Sequence, residues 1–171
     1  MTIEVTLQAL AAFPQQLAAH YAAVPAGFVQ WAPTSWDGVP SERFTPLQQV
    51  LHVRDIEVDG YHVRFQRTLD ETHPLLADID SYALAAERRY AQAADATAAL
   101  AEFRVARTRT VAMLAALHPD DWSRTAQFDG YGPVTMRGLV HYLCSHDQQH
   151  LAGLQWLLGQ IEASRVAIAT S

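Results

Sequence analysis

Residues 135–158 read T-M-R-G-L-V-H-Y-L-C-S-H-D-Q-Q-H-L-A-G-L-Q-W-L-L. The run holds no proline, and its apolar residues recur at helical spacing. On a helical wheel, Leu139, Tyr142, Leu143, His146, His150, Gly153 and Leu157 fall in one stripe. His146 and His150 therefore lie one turn apart on the face that should point inward. Two imidazoles at i and i+4 can bind one metal ion from the same side of a helix. The everyday alternative is a pair of core histidines hydrogen-bonded to neighbours. Cys144 lies almost opposite the stripe and reads as a small packed residue. Asp147 gives H-D-Q-Q-H, similar in outline to the H-E-x-x-H of zinc proteases, but the shorter reach of aspartate argues against that role.

A metal site in a helical bundle draws its ligands from facing helices. The second helix supplies a candidate. Thr45 is a good N-cap and Pro46 fits the first helical position. From there Leu47, Leu51, Val58, Tyr61, Phe65 and Leu69 form a stripe to about Glu71, and Val50, Val53, Ile56 and Val63 widen it, so this helix should be largely buried. His52 sits in its early turns, in L-H-V-R-D-I-E. Three neutral imidazoles with one open position would suit a divalent ion, Zn²⁺ with three nitrogens and a water being one example. Asp55 and Asp59 lie on nearly the same side as His52. Each is a candidate catalytic base or a carboxylate that orients a bound histidine. Taken singly, each is more commonly a salt-bridged surface carboxylate.

The rest of the chain frames these helices. A first helix is expected from Thr2 or Thr6 to about Tyr21, with Pro14 an awkward interior residue. Residues 24–46 contain four prolines, two glycines, Trp31 and Trp36, and read as an ordered loop, since exposed tryptophans would be costly. An Ala-rich third helix is expected from Tyr82 or Ala83 to about Leu117, as one rod or with one bend. A turn-rich loop follows, with a short hairpin around Asp129-Gly130, and Pro133 and Thr135 should open the fourth helix. Residues 164–171 read as a tail. No convincing strand periodicity appears, so the expected fold is all-α: a four-helix bundle forming one domain over residues 1–171.

Half of the 171 residues are hydrophobic, and the formal charge is −6. The acidic balance and the lack of a basic cluster argue against nucleic-acid binding. No apolar run is long enough for a membrane span. One cysteine permits no internal disulfide, and the N-terminus lacks a basic leader, so a cytoplasmic protein is expected.

Several segments taken together resemble the DinB/YfiT-like superfamily, whose members are read as metalloenzymes. These are F-T-P-L-Q-Q-V-L-H-V-R-D-I-E, the A-A-E-R-R-Y of the third helix, the D-D-W after it, and Y-G-P-V-T-M-R-G-L-V-H-Y-L-C-S-H-D-Q-Q-H-L-A-G-L. The resemblance implies an up-down-down-up four-helix bundle and a divalent metal held by three histidines, which fall on His52, His146 and His150. Some relatives are thiol-dependent S-transferases, and one branch includes a maleylpyruvate isomerase. The family therefore does not fix the reaction.

The expected function is a metal-dependent enzyme using Zn, Ni or Fe. It would act as a thiol-dependent S-transferase or a hydrolase on a small electrophilic molecule, with a low-molecular-weight thiol as one candidate co-substrate. Residues 24–43 and 120–133 would line the mouth of the site. The alternative is a non-catalytic, dimeric stress-response bundle that binds a metal or ligand without turnover. The Ala-rich third helix would make a reasonable homodimer face.

Overall fold

The helix start expected at Thr45 is present in full. The Thr45 hydroxyl accepts the Gln48 N–H at 3.4 Å, and the Gln48 side chain accepts the Thr45 N–H at 3.1 Å. This reciprocal cap, worth about 1 kcal/mol, opens α2 (Pro46–Asp55). The structure, a computed structural model, describes residues 3–169.

From α2 the chain passes unbroken into a π-helical turn, Ile56–Tyr61, and then into α3 (His62–Asp70). A π turn closes i→i+5 hydrogen bonds and takes up more residues than an α turn. Residues beyond it are rotated away from their places on a regular wheel. Val58 and Val63, expected in the buried face, are 41% and 49% exposed, while Glu57, Gly60 and Arg64 turn inward.

The other long helices are α1 (Glu4–Ala22), which runs through Pro14 without a break, α5 (Thr97–Ala115) and α6 (Met136–Ala169). The first, α1, packs on α5 and α6, and so does α2, which makes a four-helix bundle. Phe13, Leu17, Leu47, Phe103 and Leu154 centre one part of the core. Leu10, Phe65, Leu114, Leu139 and Leu143 centre the other, with Phe128 against them.

Three expectations are corrected. The third helix is not one rod with at most a bend. It is α4 (Ser81–Glu87) and α5, separated by Arg89 in the left-handed region (φ 55°) and a 3₁₀ turn, Tyr90–Gln92. Tyr90 is buried there with its hydroxyl donating to Asp55 at 2.6 Å. That inward anchor outweighs the helical propensity of the alanines around it.

A small sheet is also present: β1 (Leu75–Leu76), β2 (Thr125–Phe128) and β3 (Gly132–Thr135). β1 runs parallel to β2, and β2 and β3 form the hairpin expected around Asp129-Gly130. Gly130 and Gly132 take φ of 76° and 87°, which this tight return requires. Pro133 and Thr135 therefore belong to β3, and α6 starts at Met136, with the Thr135 hydroxyl accepting the Gly138 N–H at 3.1 Å. Finally, α6 continues through Ala169 where a tail was expected from Ser164, and residues 170–171 lie outside the described residues.

The ordered loop before α2 is held down by Trp36 stacked on Trp156 of α6, ring centroids 6.2 Å apart. Among the described residues, no helix is long and apolar enough to cross a membrane.

Candidate metal centre

His52 from α2 and His146 and His150 from α6 converge, with one nitrogen from each lying within 4.8 Å of the others. His52 and His150 are fully buried, and His146 is half-buried. The Nε2 atoms of His52 and His146 are 3.2 Å apart. Two nitrogens bound tetrahedrally to one zinc at about 2.0–2.1 Å would be separated by about 3.3–3.4 Å. The observed spacing therefore fits two ligands of one ion.

Gln49 decides which nitrogen His150 offers. The Gln49 amide N–H groups donate to Ser41 Oγ at 2.9 Å and to the carbonyl oxygens of Phe44 and Glu42 at 3.2 and 3.3 Å. Gln49 Oε1 must then face His150, where it accepts from Nδ1–H. That tautomer leaves the lone pair on Nε2, a sealed atom with no hydrogen-bond partner of its own. An orphaned acceptor beside two other imidazole nitrogens is the arrangement a cation would satisfy. Gln49→Leu should keep the fold and weaken divalent-metal affinity roughly 10–100-fold. Competition with a chromogenic chelator measures this, and an unchanged affinity would remove Gln49 from the site.

Sequence reasoning missed Glu42. Its carboxylate oxygens lie 3.2 Å from His150 Nε2 and 3.7 Å from His52 Nε2, and Ser81 Oγ donates to Oε1 at 3.0 Å. Burial raises the Glu42 pKa, but the neighbouring imidazoles of His150 and His52 outweigh it and bring it down to about 2. Glu42 reaches the site because α6 gives way to it. A Cβ on Gly153 would come within 2.2 Å of Ser41 Oγ, so only glycine lets this loop lie so close. No fourth His, Cys, Asp or Glu joins the cluster among the described residues.

Asp55 and Asp59 are elsewhere. Asp55 is buried between Tyr90 and Arg54, whose Nε donates to it at 2.7 Å, and Asp59 pairs with Arg88 at 2.7 Å. Neither lines the cavity beside the imidazoles. The π turn begins directly after Asp55 and swings Asp59 outward, which a regular wheel could not show.

That cavity, about 250 Å³, opens beside His52 and His146, with Glu42, Tyr61 and Arg64 in its walls. Phe128 and Tyr131 of the hairpin also line it, stacked 4.4 Å apart, as does Tyr142 of α6. Of the loops expected at the mouth, the first contributes Glu42 and the second these two aromatic rings.

Behind the site lies a buried ionic network. Arg107 of α5 donates to both oxygens of Glu57 at 3.0 and 2.9 Å, to both oxygens of Asp147 at 2.6 and 2.9 Å, and to the Leu10 carbonyl at 3.1 Å. Thr110 donates to Glu57 as well. Asp147 is thus a structural partner of Arg107 rather than a second site acid, and burial pushes its carboxyl up to about 7 against the pull of the guanidinium. The network fastens the π turn to the segment that carries His146.

The His52 and His146 imidazoles stay neutral well below their ordinary range. Burial lowers His52 to about 3, helped by His150 and opposed by Glu42, and burial also pulls His146 far down. In the unfolded chain both would protonate near pH 6.5. As pH falls below that, the unfolded state takes up protons that the folded state refuses, so each histidine costs stability at about 1.4 kcal/mol per pH unit. Asp147 acts with opposite sign, since the folded state binds its proton from about pH 7 downward. The metal-free protein should therefore lose stability by roughly one net proton's worth between pH 6.5 and 5. Urea melts of chelator-treated protein measure it, and a midpoint constant or rising over that range would contradict it.

Fold and site together define a helical bundle that gathers three imidazoles and a carboxylate at the end of a small cavity. The DinB superfamily profile matches residues 9–154, and the chain belongs to that superfamily. Among solved structures it is similar to YfiT from Bacillus subtilis, at 21% identity and a TM-score of 0.80, covering 93% of this chain and 87% of that one. YfiT is described as "a probable metal-dependent hydrolase with an unusual four-helix bundle topology". No curated protein matches the chain.

Proposed function

We propose that this protein is a divalent-metal-dependent hydrolase of a small electrophilic molecule, with His52, His146 and His150 as the metal ligands. The observation that carries the reading is the cluster of three imidazole nitrogens, with His52 and His146 in the wall of a cavity. A divalent ion held there supplies Lewis acidity and makes a nucleophile available near neutral pH. Zn, Ni and Fe all suit a three-imidazole set.

The chain's own residues supply the rest. Glu42, within 3.2 and 3.7 Å of two of the imidazoles, is placed to take up a proton at a carboxylate oxygen, and the Ser81 hydroxyl fixes the direction of that carboxylate. Gln49 keeps the His150 lone pair aimed inward. The stacked rings of Phe128 and Tyr131 form an apolar part of the cavity wall.

Two observations favour one of the expected activities. The cavity is below the roughly 300–1,000 Å³ of sites for drug-sized ligands. It has room for one small molecule, which favours water over a bulky thiol as the second reactant. It also opens onto His52 and His146, which favours an enzyme over a closed, inert binding site.

The test is turnover of a panel of small esters and amides by metal-loaded wild type against His150→Ala. Hydrolysis that needs both the metal and His150 supports the reading. Equal rates in the two proteins would refute it.

A further inference from the structure

The wall of the cavity beyond the imidazoles carries a buried cation that the hydrolytic chemistry does not use. Arg64 is buried, yet it lines the cavity. Its guanidinium lies 5.0 Å from the Tyr61 ring centroid and 4.5 Å from that of Phe128. Nε and Nη2 donate to the Ala77 carbonyl at 3.3 and 3.1 Å, and Nη2 makes a long contact of 3.4 Å to Asp78. Nη1 has no hydrogen-bond partner among the described residues, and it is not one of the sealed unpaired atoms, so it keeps access to solvent.

The side chain is therefore locked in place by two rings and a carbonyl while its charge is left under-compensated. Its one carboxylate partner among the described residues, Asp78, is 54% exposed, and such a pair contributes little. Burial lowers the Arg64 pKa in spite of Asp78, as expected for a cation short of a counter-ion. A rigid, partly desolvated guanidinium is a strong partner for a carboxylate.

We propose that the cavity selects a small monocarboxylate, whose anionic end sits against Arg64 while its reacting carbon faces His52, His146 and His150. One guanidinium balances one negative charge. A phosphate dianion would need more cations than a wall that also carries Glu42 and Asp78 provides. The aromatic rings of Phe128, Tyr131 and Tyr142 give the body of such a molecule an apolar face. This inference rests on the reading of the cavity as the substrate site, but its test is independent of metal loading.

The probe is benzoate, with benzamide as its neutral counterpart and inorganic phosphate as a second anion. Binding is measured by calorimetry and ligand-observed NMR on full-length protein treated with chelator, which removes any direct carboxylate–metal contact. Benzoate should bind wild type saturably, and should bind Arg64→Gln about tenfold more weakly or worse. Benzamide should bind both weakly and alike. Asp78→Asn should tighten benzoate about twofold to fivefold by removing the competing charge. The Asp78 variant, changed at an exposed side chain, decides the matter if Arg64→Gln does not fold.

Benzoate affinity unmoved by either variant, benzamide binding as tightly as benzoate, or phosphate binding more tightly than benzoate would each overturn the proposal. Repeating the titration with His150→Ala separates the two readings. Arg64-dependent benzoate binding that survives there stands even if the metal site fails. Its loss in wild type leaves the metal site untouched.

Discussion

Arg107→Ala is expected to lower unfolding stability by roughly 3–5 kcal/mol, the largest effect of any single substitution described for this chain. The guanidinium is buried and its charge is shared between two buried carboxylates, Glu57 and Asp147. Removing it leaves both acids buried without their cation, and it also empties the space beside Phe13 and Phe103, whose ring centroids lie 5.6 and 4.9 Å from the guanidinium carbon. Unpaired carboxylates in such surroundings must either protonate or draw in water, and both are costly. Natural domains hold only about 5–15 kcal/mol in all. The variant should therefore melt at much lower denaturant, or fail to fold at 37 °C. Replacing all three ionic partners with apolar residues of similar volume should recover most of the loss, because no orphaned charge would remain. A denaturation midpoint for Arg107→Ala within experimental error of wild type would show that the network is not closed to solvent.

Glu42→Gln is expected to lower hydrolytic turnover about 10²–10⁴-fold. The amide has nearly the same shape and can still accept from Ser81, but it can no longer take up a proton. Glu42 lies 3.2 Å from one imidazole of the site and 3.7 Å from another, and it is outside the three-nitrogen cluster itself. The variant should therefore keep its metal while losing its rate. That split separates a proton-handling role from a ligand role. Metal loss in parallel with the rate would make Glu42 a ligand, and full activity would remove it from the chemistry. Asp55→Asn and Asp59→Asn are the matched controls. Both side chains lie outside the cavity, so turnover should change little.

The legible and illegible parts of this chain divide by the range of the signal. The His146–His150 pair shows in the sequence because helical periodicity is local. The Thr45-Pro46 start of α2 shows because capping chemistry is local too. His52 could be paired with them because an apolar helix must face another. The π turn at Ile56–Tyr61 has no comparable local signature, and it alone misplaces Val58, Val63 and Asp59 on a regular wheel.

Glu42 lies in a proline-rich loop whose path is set by Gly153 and the Trp36–Trp156 stack, more than a hundred residues away along the chain. Arg107 and Glu57 are 50 residues apart, and nothing in either neighbourhood announces the pair. The β2–β3 hairpin shows in its Asp129-Gly130 turn, but β1 does not, because a strand of two residues is too short for alternation to register. Tyr90 broke the expected third helix through one distant hydrogen bond to Asp55.

The central claim is that His52, His146 and His150 hold one divalent ion. Elemental mass spectrometry on wild type and His150→Ala, both purified without chelator or a histidine-rich tag, tests it most directly. The account predicts about one metal per chain in wild type and close to none in the variant. No metal in wild type, even after adding back Zn²⁺ or Ni²⁺, would contradict it and leave the three imidazoles as packed core histidines.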